Sequence, residues 1–391
     1  MLAAGAHAVH LGATGCCDRS DCTGDNAIPL GPAAGRYIPG MQIMVATPLE
    51  AELVDRIRQV SSDVTVLHEP ELLPPPRYPS DHRGDLSFHR DDAAERRFAE
   101  LLGQSDVLLS VPGETPESLA AIVTANSRLR WIQAMTAGAG DMVRRARLTE
   151  AELKRVIVTT SSGVHGAQLA EWACLGLLAF TKNLPRLLAD KDARRWNQYA
   201  VRELQSQTLL LIGLGGIGRA VAERAAALGM RVVGVRRSPA VAADEERQLG
   251  PVDEVHGPET LPTLVPAADA VVLALPGTPG TDGLFNRSLI ERLPAHAIVV
   301  NVGRGSTIDE AALIDALSEG RIAGAALDVT SIEPLPQDSP LWTLPNVLIS
   351  PHTASVTAAE NGRIVDLFCD NVRRFSEGRP LRNVVDIQHY Y

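Results

Sequence analysis

The sequence predicts an α/β protein, a doubly wound parallel sheet accompanied by a second, smaller α/β domain. Three observations carry that expectation. Apolar, β-favouring runs alternate with helix-period stretches from Met41 onward, the pattern of parallel strands joined by helical crossovers. Residues 208–218, TLLLIGLGGIG, pass from strand through a glycine turn into a helix. At 391 residues with 45% hydrophobic content, the chain is long enough to bury two cores.

Residues 1–40 are rich in Gly, Ala and small polar residues without apolar periodicity, so they are expected to be a disordered leader, with the folded part beginning near Met41. Cys16, Cys17 and Cys22 with His7 and His10 match no standard zinc spacing, and Cys174 and Cys369 stand far apart. Neither a metal site nor a disulfide framework is expected. Strands follow at 42–46, 63–67, 106–111 and 130–133, with a helix at 50–60. Between them, residues 69–90 carry Pro70, Pro74, Pro75, Pro76 and Pro79 among charged residues and read as a long surface loop bordering a cleft. In 134–141, AMTAGAGD, small residues let backbone N–H groups face outward, as an anion-binding turn requires.

A strand at 156–160 leads to a helix over 167–184, ended by Pro185 and apolar nearly all round. Such a helix is expected to be buried between domains or between subunits. Trp172 and Cys174 on it are packing residues, and His165 is expected to cap the helix or line the cleft.

In the central stretch, Gly213, Gly215 and Gly218 have G-x-G-x-x-G spacing between a strand (208–212) and a helix with Ile217, Val221 and Leu228 on one face. Those glycines respectively allow the turn, admit a pyrophosphate close to backbone and let helix and strand pack tightly. The helix start favours a dinucleotide's phosphates. A strand at 231–235 precedes a linker-like stretch, and further strands are expected at 269–275, 297–301, 325–329 and 346–349. A helix over 307–318 has Asp309 and Glu310 in its first turn and Gly320 past its end. The last helix carries Ile364, Leu367, Phe368, Val372 and Phe375 on one stripe, closed by Gly378 and Pro380. The expected division is 41–160 for the first part of a substrate domain, 161–352 for the dinucleotide-binding domain and 353–391 for a return to the first.

Net charge is −10, spread without an acidic tail or basic stripe, which argues against nucleic acid or an anionic membrane as partner. A small-molecule enzyme fits better. No apolar run reaches spanning length and no secretory pattern opens the chain, so the cytoplasm is the expected location.

In a doubly wound sheet, ligands sit beyond the carboxyl ends of the strands. Three charged side chains fall there: Arg304 in NVGRG after 297–301, Glu333 in SIEPLP after 325–329, and His352 in SPHTAS after 346–349. The sequence resembles the D-isomer-specific 2-hydroxyacid dehydrogenases, the family that includes D-lactate, D-glycerate, phosphoglycerate and formate dehydrogenases and glyoxylate/hydroxypyruvate reductases. The matching stretches are GVHGAQLAEW, GLGGIG, LPGTPGTDGLFN, NVGRGSTIDEAALIDAL, GAALDV with IEPLPQDSPLW, SPHTASVT and LRNVVD, over roughly residues 41–388.

The resemblance implies a Rossmann-type domain beside a flavodoxin-like substrate domain with a cleft between them, a nicotinamide dinucleotide cofactor, and a homodimer formed around 167–184. It makes Arg304, Glu333 and His352 the catalytic trio. It places Gly216, Ile217, Pro276, Thr278, Val302, Gly303 and Asp328 at the cofactor, and the backbone of Ala137, Gly138 and Ala139 at the substrate carboxylate. The alternative it implies is a nicotinamide-sensing, corepressor-like binding protein of the same fold.

The expected chemistry needs these residue types. When hydride reaches a 2-keto carbon, the carbonyl oxygen must take a proton, which His352 can supply near neutral pH. Glu333 on the other ring nitrogen would favour the imidazolium, and the planar fork of Arg304 suits a carboxylate and carbonyl. At the end of the second strand, where NAD-binding chains place an acid on the ribose, this chain has Arg236, Arg237 and Ser238. Two guanidiniums would stabilise a 2′-phosphate, so NADP is expected over NAD. Relatives commonly read LDVF followed by an acid where this chain reads LDVTS, so Thr330 and Ser331 weaken any borrowed substrate preference.

Overall fold

Two parallel sheets organise the computed structural model, which describes residues 39–238, 249–388 and 390. Residues 1–38 of the expected leader, with its cysteines and histidines, lie outside the described residues, as does most of the linker-like stretch after Ser238. The first sheet contains β1 (Met41–Val45), β2 (Val64–Leu67), β3 (Val107–Leu109), β4 (Trp131–Gln133) and β5 (Ile157–Thr159) in the order β2-β1-β3-β4-β5, every neighbour parallel. That is the flavodoxin-like order. Helices α1 (Ala51–Arg58), α2 (Asp92–Gln104), α3 (Pro116–Ala125), α4 (Ala139–Ala146) and α5 (Glu150–Arg155) connect its strands.

The strands are short apolar runs because both faces are covered. In β3, Leu108 joins Phe98, Leu119 and Ile132 on one side, while Val107 and Leu109 join Trp131 on the other, as the two-residue period of a strand requires. The second face is closed by the far end of the chain. The apolar stripe of the helix Glu360–Ser376 sets Phe368 and Phe375 against Trp131, with ring centroids 5.1 and 5.6 Å away. Val384 then bridges antiparallel to Thr159 on the edge strand.

The larger sheet holds β6 (Thr208–Ile212), β7 (Arg231–Val235), β8 (Glu254–His256), β9 (Ala270–Leu273), β10 (Ile298–Asn301), β11 (Gly324–Leu327) and β12 (Val347–Ile349). Its order, β12-β11-β10-β9-β6-β7-β8, reverses direction between β6 and β9 and is parallel throughout. This is the doubly wound arrangement expected, with its switch point at the carboxyl end of β6. The helix α6 (Gly166–Thr181) lays Ala170, Ala173 and Leu177 against α8 (Gly216–Ala227) and the sheet. A Cβ at Gly176 would sit 2.5 Å from that of Ala326, so this crossing is as close as the side chains allow.

Three local expectations are corrected. Pro185 does not end the first long helix of this half: that helix stops at Thr181, Asn183 turns left-handed at φ 55°, and Pro185 lies in the first turn of a new helix, α7 (Leu184–Asp192). A proline is well placed there because the N–H it lacks would have had no partner. The helix expected over 307–318 begins at Glu310 instead (α9, Glu310–Ser318), since the Asp309 carboxylate caps it by accepting from Ala312 N–H at 2.9 Å, an interaction worth about 1 kcal/mol. His165 occupies the position before α6 without capping it; its Nε2 lies 2.9 Å from Oε1 of Glu360, tying the start of α6 to the start of the C-terminal helix. The edge strand β8 was not legible beforehand, being three residues long with a polar residue at each end. None of the described helices is long and apolar enough to cross a membrane.

Candidate active site

The carboxyl ends of β6, β7, β9, β10, β11 and β12 carry the expected cofactor and catalytic residues, and the turn after β4 comes to meet them. Gly213 follows β6 at φ 106°, a conformation L side chains rarely adopt, and a Cβ there would lie 2.6 Å from the Ala274 carbonyl oxygen. A Cβ on Gly218 would overlap the Gly213 carbonyl oxygen. Gly215, by contrast, faces open space at the N-terminus of α8. The turn therefore leaves the first N–H groups of a twelve-residue helix, from Gly216 and Ile217 on, beside room for a ligand, and this fits a pyrophosphate.

Arg236, Arg237 and Ser238 come directly after β7, where Arg236 N–H donates to the His256 carbonyl of β8 at 3.0 Å. Pro276 and Thr278 follow β9, and Thr278 N–H donates to Oγ1 of Thr281 at 2.9 Å. Val302 and Gly303 follow β10, and a Cβ on Gly303 would lie 2.5 Å from the Leu275 carbonyl oxygen. Asp328, next after β11 and 2% exposed, accepts from Ala354 N–H at 3.0 Å.

The same strand ends set out the expected trio. His352 sits just beyond β12 at φ 55°, held there because its N–H donates to the carbonyls of Asp328 and Ser350, each at 2.9 Å. A left-handed histidine persists only where neighbours over-determine it, and such strain concentrates at functional sites. Its Nδ1 lies 2.7 Å from Oε2 of Glu333, whose other oxygen accepts from Thr330 N–H at 3.1 Å. Burial by itself would raise the Glu333 carboxyl, but the hydrogen bond and charge of His352, with Thr330 N–H and Arg304, bring it below its ordinary value. The carboxylate is thus anionic at neutral pH. At the departure, Thr330 Oγ1 donates to the Ile332 carbonyl at 2.8 Å and the backbone N–H of Ser331 to Glu310 at 2.8 Å, pinning the loop that carries Glu333.

Arg304 reaches across the cleft. Its Nη1 donates to the Gly303 carbonyl at 2.7 Å, and its guanidinium lies so close to Gly138 that a Cβ there would overlap Nη2. Burial lowers its pKa, opposed by the charges of Glu333, Asp141 and Asp328, yet a guanidinium keeps its proton. The turn it touches is shorter than expected: Ala137 and Gly138 form it, while Ala139 and Gly140 already belong to α4. A helix N-terminus therefore adds to the anion preference of the turn.

Arg304, Gly138 and Ala139 share a cavity of about 200 Å³ with Arg83, Glu114 and Arg145. Sequence reasoning missed these last three. The proline-rich loop pointed to a cleft border without indicating which of its residues turned inward, and Glu114 is set by a left-handed φ of 52° that no pattern announces.

The chain is similar to known proteins in both sequence and fold. Residues 174–354 match the model of the D-isomer specific 2-hydroxyacid dehydrogenase, NAD binding domain. A D-3-phosphoglycerate dehydrogenase of Methanocaldococcus jannaschii is 34% identical over 60% of this chain, a match that spans 44% of that protein's length. A glyoxylate reductase of Korarchaeum cryptofilum is 30% identical over 77% of this chain and 90% of its own. Among solved structures, a D-isomer specific 2-hydroxyacid dehydrogenase from Xanthobacter autotrophicus in complex with NADPH and MES superposes with a TM-score of 0.69 at 26% identity, covering 90% of this chain and all 100% of that one.

Proposed function

The chain belongs to the family of D-isomer-specific 2-hydroxyacid dehydrogenases, and from that premise we propose that it reduces a 2-ketoacid to the D-2-hydroxyacid, and catalyses the reverse oxidation, with His352, Glu333 and Arg304 as its working groups. It is an oxidoreductase with a nicotinamide-dinucleotide-binding domain. The observation that carries the proposal is the pairing of His352 Nδ1 with Glu333 at 2.7 Å on the sheet side of the cleft, with Arg304 lying against the Gly138 turn opposite.

The bound nicotinamide supplies the hydride. Gly213, Gly215, Gly216, Ile217 and Gly218 would hold the pyrophosphate, with Pro276, Thr278, Val302, Gly303 and Asp328 lining the remainder of the cofactor's path. The backbone of Ala137, Gly138 and Ala139 receives the substrate carboxylate, and Arg304 bonds carboxylate and carbonyl together, orienting the one and polarising the other. With Nδ1 held by an anionic carboxylate, Nε2 is the ring nitrogen that gives the carbonyl oxygen its proton. In the reverse direction it takes that proton back. The test is a panel of 2-ketoacids with NADPH, followed at the cofactor's absorbance band: turnover of at least one member is expected, and tight dinucleotide binding with no turnover on any would overturn the reading in favour of a sensor.

NADPH is the preferred donor in this proposal, on the strength of Arg236, Arg237 and Ser238 directly after β7, none of them an acid. A charge-assisted bond to the 2′-phosphate contributes about 1.5–3 kcal/mol, so kcat/KM is expected to favour NADPH over NADH by about tenfold or more. Equal efficiencies, or a preference for NADH, would overturn it.

We also propose that the protein is a homodimer. Leu175 and Leu178 on α6 and Leu187 and Leu188 on α7 are 37–48% exposed, and Trp196 just beyond is 94% exposed. So much apolar surface in one region suits an isologous interface. Sedimentation should give twice the chain mass of 41.8 kDa; a single-chain mass at micromolar concentration sinks the idea.

A further inference from the structure

We propose that His165 and Glu360 form a positioning pair that carries occupancy of the dinucleotide turn to the segment bearing His352; its effect on catalysis, though not the link itself, rests on His352 being the proton donor. The chain passes between the two sheets twice, through residues 160–165 after β5 and through residues 350–359 after β12. Each passage ends at one member of the pair: His165 precedes α6, and Glu360 opens the C-terminal helix. Their side chains meet with Nε2 2.9 Å from Oε1, and the two residues are 7% and 4% exposed. In so dry a setting a hydrogen bond is stronger than at the surface, and its loss is felt more.

The first passage touches the proposed dinucleotide site. A Cβ on Gly166 would lie 3.0 Å from the Gly216 carbonyl oxygen, and a Cβ on Gly216 3.4 Å from Cα of Gly163, so this segment and the first residue of α8 meet backbone to backbone. Ser161 N–H donates to the Thr136 carbonyl at 3.1 Å, which joins the same passage to the turn of Ala137 and Gly138. The second passage carries His352, and Ala354 N–H two residues on bonds Asp328. It continues to Thr357, whose carbonyl accepts from Ser80 Oγ at 2.9 Å in the loop that sends Arg83 to the substrate cavity. A shift of the glycine turn on binding a pyrophosphate therefore bears on 160–165, and His165 passes it to Glu360.

Two unpaired atoms give these bonds an alternative. Glu360 Oε2 and Arg363 Nε are both buried without a hydrogen-bond partner among the described residues, although buried polar atoms nearly always have one. Residues three apart on a helix are neighbours, about 5–6 Å between Cβ atoms, so an open acceptor and an open donor stand on one face. Arg363 meanwhile donates through Nη2 to Thr357 Oγ1 at 2.9 Å, and the Gln168 amide of α6, with its oxygen turned to the guanidinium, accepts from the same nitrogen at 2.7 Å. The cluster thus has a second set of bonds within reach, and coupling between distant sites needs such a discrete two-state element. A Glu360 side chain that trades His165 for Arg363 releases the first passage from the second.

The test is hydrogen–deuterium exchange of the full chain with and without saturating NADP⁺, read at peptides covering 208–220 and 352–360, where His352, Ala354 and Val356 N–H groups are hydrogen-bonded. NADP⁺ is expected to slow exchange in both stretches about threefold or more. In His165→Phe and in Glu360→Leu the slowing at 208–220 should persist and that at 352–360 should be lost. Glu360→Gln keeps an oxygen for His165 Nε2 and should retain both. No slowing at 352–360 in the unmodified chain, slowing kept there in either disrupting variant, or Glu360→Gln behaving like Glu360→Leu overturns the pair's role. A variant that loses the effect at 208–220 as well is damaged and the other decides; damage in both makes the pair a structural support and overturns its positioning role. With the 2-ketoacid the chain turns over, His165→Phe should lower kcat about fivefold or more while the KM for NADPH stays within about twofold, and an intact kcat overturns the link to catalysis. Exchange needs only the dinucleotide, so a chain that reduces no 2-ketoacid yet loses the 352–360 effect in both variants would sink the reductase reading and keep the pair.

Discussion

His352→Ala is expected to lower kcat for 2-ketoacid reduction by about 10²- to 10⁴-fold, the usual contribution of a positioned general acid, while dinucleotide affinity stays as it was. The two effects separate because His352 lies beyond β12, whereas the proposed pyrophosphate cradle is the turn between β6 and α8. Alanine removes the ring that would protonate the carbonyl oxygen and also the hydrogen bond that fixes one oxygen of Glu333. It leaves the Thr330 N–H bond to the other oxygen, so the loop keeps one of its anchors. Single-turnover absorbance at the nicotinamide band measures the first effect and a dinucleotide titration the second. A variant that retains most of the rate would show that the proton comes from elsewhere, and the assignment of His352 would fall.

Arg304→Ala should cost about 10²- to 10³-fold in kcat/KM, the range seen when a preorganised donor to a developing oxyanion is lost, again with dinucleotide binding retained. In the proposed role the guanidinium bonds two substrate groups at once, so both kcat and KM are expected to move. Lysine should not rescue it, because a point charge cannot make two parallel bonds across a carboxylate and a carbonyl. The half-buried side chain also leans on Gly138 from the other side of the cleft, so its removal opens the floor on which the carboxylate would rest. A rise in KM alone, with kcat intact, would mean that Arg304 binds substrate without polarising it. Near-normal values of both would refute its role.

Much of this molecule could be read before it was seen. The apolar runs that became β1, β3, β6, β9, β10 and β11 were legible because a strand covered on both faces has to be apolar at nearly every position. The glycine turn was legible because backbone geometry at Gly213 and close packing at Gly218 tolerate no side chain, a requirement written into the residue type itself. Other features left no such mark. Pro185 reads as a terminator and serves as an initiator, since its effect depends on which turn of a helix it falls in. His165 precedes a helix yet bonds Glu360, far along the chain, and no local pattern encodes a partner at that separation.

By itself the sequence determined the parallel architecture and the glycine turn after β6, and the resemblance singled out Arg304, Glu333 and His352. The architecture and the turn depend on backbone conformation or periodicity within a few neighbouring residues. Tertiary structure alone decided that Arg304 meets Gly138, that Glu333 and His352 share a hydrogen bond, and that the proline-rich loop sends Arg83 into the cavity beside Arg304. Contacts between distant segments are set by how the two sheets and the C-terminal helix pack, and packing is a property of the whole chain that no single stretch carries.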